Sequence, residues 1–429
     1  MNRGAASGRA AAALAASVAA PAVPTFRTIP TGAAIYLAVV QFLFVTCWTT
    51  YVVYLPQLLA AAGLPTRYTP WLLLIDQLVF MATDIAVGLG ADRARRTVGR
   101  LGPMIVALTV VSCAAFLLLP FAVHLGRGAA AIGLGLTIVW AATSSALRAP
   151  PWVLLGKYAW RPALPWMNTL MLFGVAAGSA VAPFLGAALK AHDARLPFAI
   201  SSLVLLAATA GIVGVERALE RRPPERPAGA GEAVVAPKVL TAAHWLWLLG
   251  IFALAAGFQV HASLNSSGEF LRFAPASALE RLLPVFWVGF GAGMLIASPA
   301  CRRYRALHVM AVAAVLGAVA AYGAATATRL ETLLAAQVIA GAAWGGMLVA
   351  IFSSASDFGR TGREGLALGT MFSMLAFATL ARIGVTIAGW NRDPGVAAAL
   401  SVAPVVLWVA GAVVVYTVAW RARVEPEAA

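Results

Sequence analysis

The chain has 429 residues, of which 61% are hydrophobic and 11% charged, and its mean hydropathy is +0.86. A water-soluble domain keeps roughly a quarter of its residues charged, so this composition excludes a soluble globular protein and leaves the surplus apolar surface to face lipid. The net charge of +15 does not point to nucleic acid, because no basic stretch is long and none is interleaved with stacking aromatics.

Residues 1–30 are Ala-rich and carry Arg3, Arg9 and Arg27. They read as a disordered cytoplasmic tail, the alternative being a weak signal-peptide core at 10–21. A spanning helix needs about 20 predominantly apolar residues. Runs of that kind fall at 33–58, 70–90, 102–123, 129–149, 164–189 and 196–215. Between 216 and 238 the sequence turns to charges, prolines and glycines, which cannot sit in lipid. Six more runs follow at 243–266, 282–300, 306–326, 332–354, 366–389 and 396–420. The predicted fold is therefore an all-α polytopic membrane protein with about twelve transmembrane helices in two six-helix bundles. Its parts are the tail 1–30, a bundle 31–217, a cytoplasmic linker 218–242, a bundle 243–420 and a tail 421–429.

Charge asymmetry orients this layout. With the N-terminus inside, 21 Lys and Arg fall on that side and 8 on the other, and Arg148 and Arg382 lie within helices. Positive residues are retained on the cytoplasmic side, so both termini and the linker are expected there. The expected location is the plasma membrane, or the inner membrane of a bacterium. No cofactor or metal is expected. Cys47, Cys113 and Cys301 lack ligand spacing, the five histidines are scattered, and there is no P-loop. These absences argue against a polytopic membrane enzyme, which stays an alternative beside a non-transporting assembly factor.

The segment 84–100, which ends the second run and continues past it, reads DIAVGLGADRARRTVGR, with Gly88, Asp92, Arg93, Arg96 and Arg100. It resembles the loop 2–3 motif of the major facilitator superfamily. Gly174, Gly178, Pro183 and Gly186 in the fifth run resemble the Gly- and Pro-rich motif of its antiporter branch. At the equivalent place after the eighth run, Arg302 and Arg303 are kept, but Pro299 stands where the acid belongs. The resemblance covers about residues 31–420. It implies two bundles around a central cavity lined by helices 1, 4, 7 and 10, opening alternately to each side. It also implies that Gly88, Asp92, Arg93 and Arg96 form a gate, with Asp92 at the N-terminus of helix 11. The function expected is secondary active transmembrane transport of a small solute, with proton coupling as an open option.

Acids inside a bilayer are expensive and functional by default. Asp84 and Asp76 are thus candidates for carrying a proton, against structural pairing. Arg148, just before Pro150 and Pro151, either binds an anionic solute, pairs with Asp84, or snorkels to the surface where helix 4 stops. Arg382 is expected to snorkel outwards. Helix 7 ends in the polar run Gln259, His261, Ser263, Asn265, Ser266, which is either an unwound gate or binding element or a helix surfacing into water. Trp48, Trp140 and Trp344 fall at mid-membrane depth, and Gln41 with Trp48 and Gln337 with Trp344 are i, i+7 pairs. With Gln259, these residues are the candidate solute pocket, the alternative being helix packing or lipid contact.

Overall fold

The computed structural model describes residues 30–159, 161–221, 241–359 and 362–424. The tail 1–29, most of the linker, Trp160, Arg360, Thr361 and the last five residues lie outside the described residues. Twelve helices among them are long and apolar enough to cross a bilayer. They are α1 Thr31–Ala61, α2 Thr66–Thr97, α3 Gly102–Ala122, α4 Ala129–Tyr158, α5 Leu164–Leu189 and α6 Arg195–Glu220. After the linker come α7 Ala242–Leu271, α8 Ala276–Arg303, α9 Ala306–Ala325, α10 Leu330–Phe358, α11 Glu364–Ile387 and α12 Pro394–Arg421. In lipid every backbone polar group must be satisfied within the segment, which only a helix or a closed barrel achieves.

Each apolar run is a helix, but several helices outlast their runs. The helix α6 continues to Glu220, beyond the expected bundle end at 217. It does so because the Glu216 carboxylate is buried against the start of α3, accepting from the backbone N–H groups of Leu101 (2.9 Å) and Gly102 (2.7 Å). A carboxylate there satisfies orphan donors and meets the positive end of the helix dipole. Lys157 Nζ lies 3.7 Å from the same carboxylate, so α4 also runs past its apolar stretch.

The two halves pack alike. In the first, α1 lies against α5 and α6, and α3 against α4 and α6; in the second, α7 lies against α11 and α12, and α9 against α10 and α12. Across the halves, α2 meets α11 and α5 meets α8. Adding six to each number exchanges these two interfaces, so they are equivalent under one pseudo-twofold axis. Gly88 of α2 sits so close to Gly365 and Gly369 of α11 that a Cβ would overlap the Gly365 carbonyl.

The helix α4 is broken and then resumes. Ala129–Ser144 is α-helical, Ser145–Leu147 is a tight turn, and Ala149–Tyr158 is α-helical again. Pro151 has no N–H to give the Leu147 carbonyl four residues back. Gln41 of α1 supplies the missing donor, its Nε2 lying 2.7 Å from Leu147 O. In α7 the polar run neither unwinds nor leaves the helix: Gln259–Asn265 forms wide i→i+5 turns, and the helix continues to Leu271. Such π-turns often mark functional segments.

Candidate functional site

The face carrying the α2–α3 loop and both ends of the linker is the basic face, the one holding the larger share of Lys and Arg. There α2 latches onto α11. The Asp92 carboxylate accepts from Gly365 N (2.7 Å) and Leu366 N (2.9 Å), in the first turn of α11. This is the contact the resemblance implies. Gly88, one turn earlier, permits the approach. The other two gate candidates do not reach α11: Arg93 is exposed, and Arg96 donates back to its own helix at Asp92 O. Arg95 reaches across instead, 3.0 Å from Glu364. The equivalent α5–α8 interface has Pro299 in place of an acid. Among the described residues its cross-half hydrogen bond is the long one from Thr169 Oγ1 to Met294 O, 3.5 Å.

Beneath the latch, Arg148 lies 3.0 Å from the wholly buried Asp84. The pair is held by distance and charge rather than by an aligned hydrogen bond. The guanidinium is sandwiched between Phe80 (4.7 Å) and Phe372 (5.0 Å), and its far end approaches Phe372 O. Trp152 of α4 stacks on Phe352 of α10 at 4.6 Å and meets Phe372 edge-on. Arg148 thus pairs with Asp84 rather than reaching the surface. Met81, Asp92, Arg95, Arg148 and Trp152 of the first half join Phe352, Glu364, Gly365, Phe372 and Ser373 of the second, from mid-depth to the basic face.

Nearer the opposite face the halves carry separate clusters. In the first, Trp48 and Trp140 stack at 5.7 Å, and Tyr51 lies 4.5 Å from Trp140. The Tyr51 hydroxyl donates to Asp76 Oδ2 at 2.9 Å. Asp76 is fully buried, and its other oxygen has no partner. An apolar cavity of about 240 Å³ opens beside Tyr51, lined also by Leu55, Leu72, Leu119, Leu134 and Thr137.

In the second half, Trp344 stacks on Phe258 of α7 at 4.5 Å. Gln337 Oε1 accepts from His261 Nε2 (3.2 Å), and Gln337 Nε2 donates to Glu269 Oε2 (2.9 Å). The two i, i+7 pairs do share helix faces, but those faces look at neighbouring helices. Gln41 and Trp48 face α4, and Gln337 and Trp344 face α7. Gln41, Trp140, Gln337 and Trp344 are buried in packing, and the three tryptophans do not form one pocket. Trp48 and Gln259 remain partly accessible.

Arg382 departs from its expected course. Its Nε donates to Gln259 Oε1 at 3.0 Å, Gln259 Nε2 donates to Thr379 at 2.8 Å, and Ser263 donates to Gln259 Oε1 at 3.3 Å. Side chains on a helix lean towards its N-terminus, which for α11 lies at the basic face. Arg382 therefore leans inward, to the depth of Gln259 in the middle of α7. Sequence reading also missed Glu269, because the apolar run of helix 7 ends before it. It missed Arg95 and Tyr51 too; their partners Glu364 and Asp76 lie on other helices.

No protein-family profile and no curated protein matches this sequence. Solved structures do. A bacterial homologue of the iron transporter ferroportin, in an outward-facing state, aligns with TM-score 0.72 at 13% identity, over 91% of this chain and 100% of that one. The human organic anion transporter MFSD10 aligns with TM-score 0.64 at 13% identity, over 92% and 99%. The major facilitator transporter FucP, in the outward conformation, aligns with TM-score 0.63 at 15% identity, over 90% and 98%. These neighbours are transporters, and the likeness extends along nearly the whole of each chain. With twelve membrane helices in two equivalent halves, the protein has the major facilitator superfamily fold.

Proposed function

We propose that the protein is a secondary active transporter that moves a small solute by alternating access, its halves rocking about a midplane site. The observation that supports this best is the seam between the halves. Charged and aromatic groups are held there at mid-depth behind a latch built on a glycine contact and a helix cap. Charges inside a bilayer are costly to keep, and a static scaffold has no use for a parting surface made of them. The contacts near the basic face favour a state closed on that side, as in the outward-facing structures it resembles. The test is reconstitution in liposomes. Solutes that raise the melting temperature of the purified protein bind its folded state, and these are then offered as tracers. Binders that exchange across the bilayer support the proposal. Binders that never exchange would leave a binding protein.

The charge pattern supports an orientation with the basic face in the cytoplasm, in a plasma membrane or bacterial inner membrane. Reporter tags placed in the linker and at both termini are expected to read cytoplasm. An external linker tag would overturn this orientation.

For coupling, the geometry favours Asp76 over Asp84. Asp84 has Arg148 as its counter-ion, whereas Asp76 has only the Tyr51 hydroxyl and one empty oxygen. A buried carboxyl without a cation is better suited to gaining and losing a proton. Asp76→Asn is expected to abolish uptake driven by a pH gradient while sparing solute exchange. Undiminished pH-driven uptake would remove Asp76 as the carrier.

A further inference from the structure

Among the described residues, Arg382 is a cation inside a membrane span with no carboxylate beside it. The other arginine deep in a span, Arg148, is neutralised by Asp84 at 3.0 Å. Lys157 has Glu216 within 3.7 Å. Arg382 has the amide of Gln259, a neutral acceptor, on its Nε. Its two terminal nitrogens hold no partner among the described residues, and the side chain is only partly buried. Desolvating a guanidinium without a counter-charge is unfavourable, and snorkelling would relieve it. The chain does the opposite. Gln259 is itself fixed by Thr379 and Ser263, and together they hold the guanidinium back at mid-depth. The edge left open is the pair of terminal N–H groups, which suits a two-oxygen acceptor such as a carboxylate. Apolar groups flank this polar cluster. Trp48, partly accessible, packs on the cluster of Phe80, Ala141 and Ala376, the last lying three residues before Thr379 on α11, whereas Phe258 beside Gln259 is turned to Trp344 of α10.

We propose that Arg382, positioned by Gln259 and Thr379, receives the anionic group of the transported solute, and that this solute is an organic monocarboxylate with an apolar body. One uncompensated cation calls for one negative charge, and the partly accessible Trp48, packed against Ala376 on the same stretch of α11, calls for an apolar remainder. The proposal rests on the transport reading for the word "transported", but not for the site itself.

The experiment uses purified full-length protein and a series of monocarboxylates from acetate to benzoate, each beside its uncharged amide. At least one carboxylate is expected to raise the melting temperature, and its amide is not. Arg382→Gln is expected to weaken carboxylate binding by roughly tenfold or more, as for loss of a charge-assisted bidentate contact. Arg382→Lys is expected to retain part of it. If Arg382→Gln does not fold, Gln259→Ala keeps the cation, removes its tether, and should also weaken binding. The proposal is overturned if no carboxylate stabilises the wild type, if the amides do so equally, or if binding survives undiminished in Arg382→Gln or, where that variant does not fold, in Gln259→Ala. Counterflow in liposomes separates the two readings. A carboxylate bound through Arg382 but never exchanged would sink transport and leave the site. Exchange unaffected by Arg382→Gln would sink the site and leave transport.

Discussion

Gly88→Val is expected to abolish transport and hold the protein open at the basic face while leaving each half folded. A Cβ at Gly88 would run into the carbonyl of Gly365, and Gly365 meets the Gly88 backbone just as closely from the other side. Backbone cannot move aside as a flexible side-chain end can. Inside a packed core such an insertion costs about 1–3 kcal/mol. At this seam there is a cheaper response, because the two halves can part. Once parted, the Asp92 carboxylate loses both α11 amides, 2.7 and 2.9 Å away, and Arg95 loses Glu364. The latch then fails as a unit. Asp92→Asn should act in the same direction but less strongly. It keeps the close approach and one acceptor oxygen, and gives up the charge that favours a helix N-terminus. Spin labels at Val98 and Tyr304, one in each half at the basic face, read the outcome. Longer distances in Gly88→Val with an unchanged melting temperature are the expected result. Wild-type distances together with wild-type transport would show that the glycine contact does not control closure.

Arg148→Met should destabilise the folded protein by about 3–5 kcal/mol, the range for breaking a buried ion pair by removing one partner. The loss has two sources. Asp84 is fully buried, and among the described residues Arg148 is its sole cation. The guanidinium also lies against the faces of Phe80 and Phe372, at 4.7 and 5.0 Å, and a thioether does not replace that attraction. Because Phe372 belongs to the second half, the variant should also weaken closure at the basic face. Asp84→Asn combined with Arg148→Gln removes both charges and leaves two amides that can hydrogen-bond, at the loss of two side-chain atoms at position 148, so much of the stability should return. The contrast between the single and double variants, measured by thermal unfolding in one detergent, decides the matter. Equal stability of Arg148→Met and wild type would mean that the pair does not hold the fold together.

The sequence by itself determined what the solvent dictates. Lipid requires long apolar helices, so runs of about 20 apolar residues marked twelve spans, and the charges and prolines after 216 marked the division into halves. The contact of Asp92 with α11 was also anticipated, as what the resemblance of the Gly88–Asp92–Arg93 segment implies, and the carboxylate does accept from Gly365 N and Leu366 N, where a helix N-terminus favours an anion. Tertiary structure decided what helix rotation and partnership control. Gln41 and Gln337 looked like solute ligands because they are polar at mid-depth. In the fold Gln41 serves the carbonyl that Pro151 leaves bare, and Gln337 bridges His261 and Glu269. Asp76 and Asp84 lie on one helix and were equivalent as letters. Only the placement of Arg148 on α4 makes one an ion-pair partner and leaves the other with Tyr51 alone. Arg382 could not be read from its distance to the helix end. The outcome depended on Gln259, 123 positions away in the sequence, which draws the guanidinium inward rather than letting it reach water. Hydropathy is a property of each segment against lipid, whereas a site is a property of side chains from different segments. A single sequence therefore specifies the first directly and the second only through the packing of its helices.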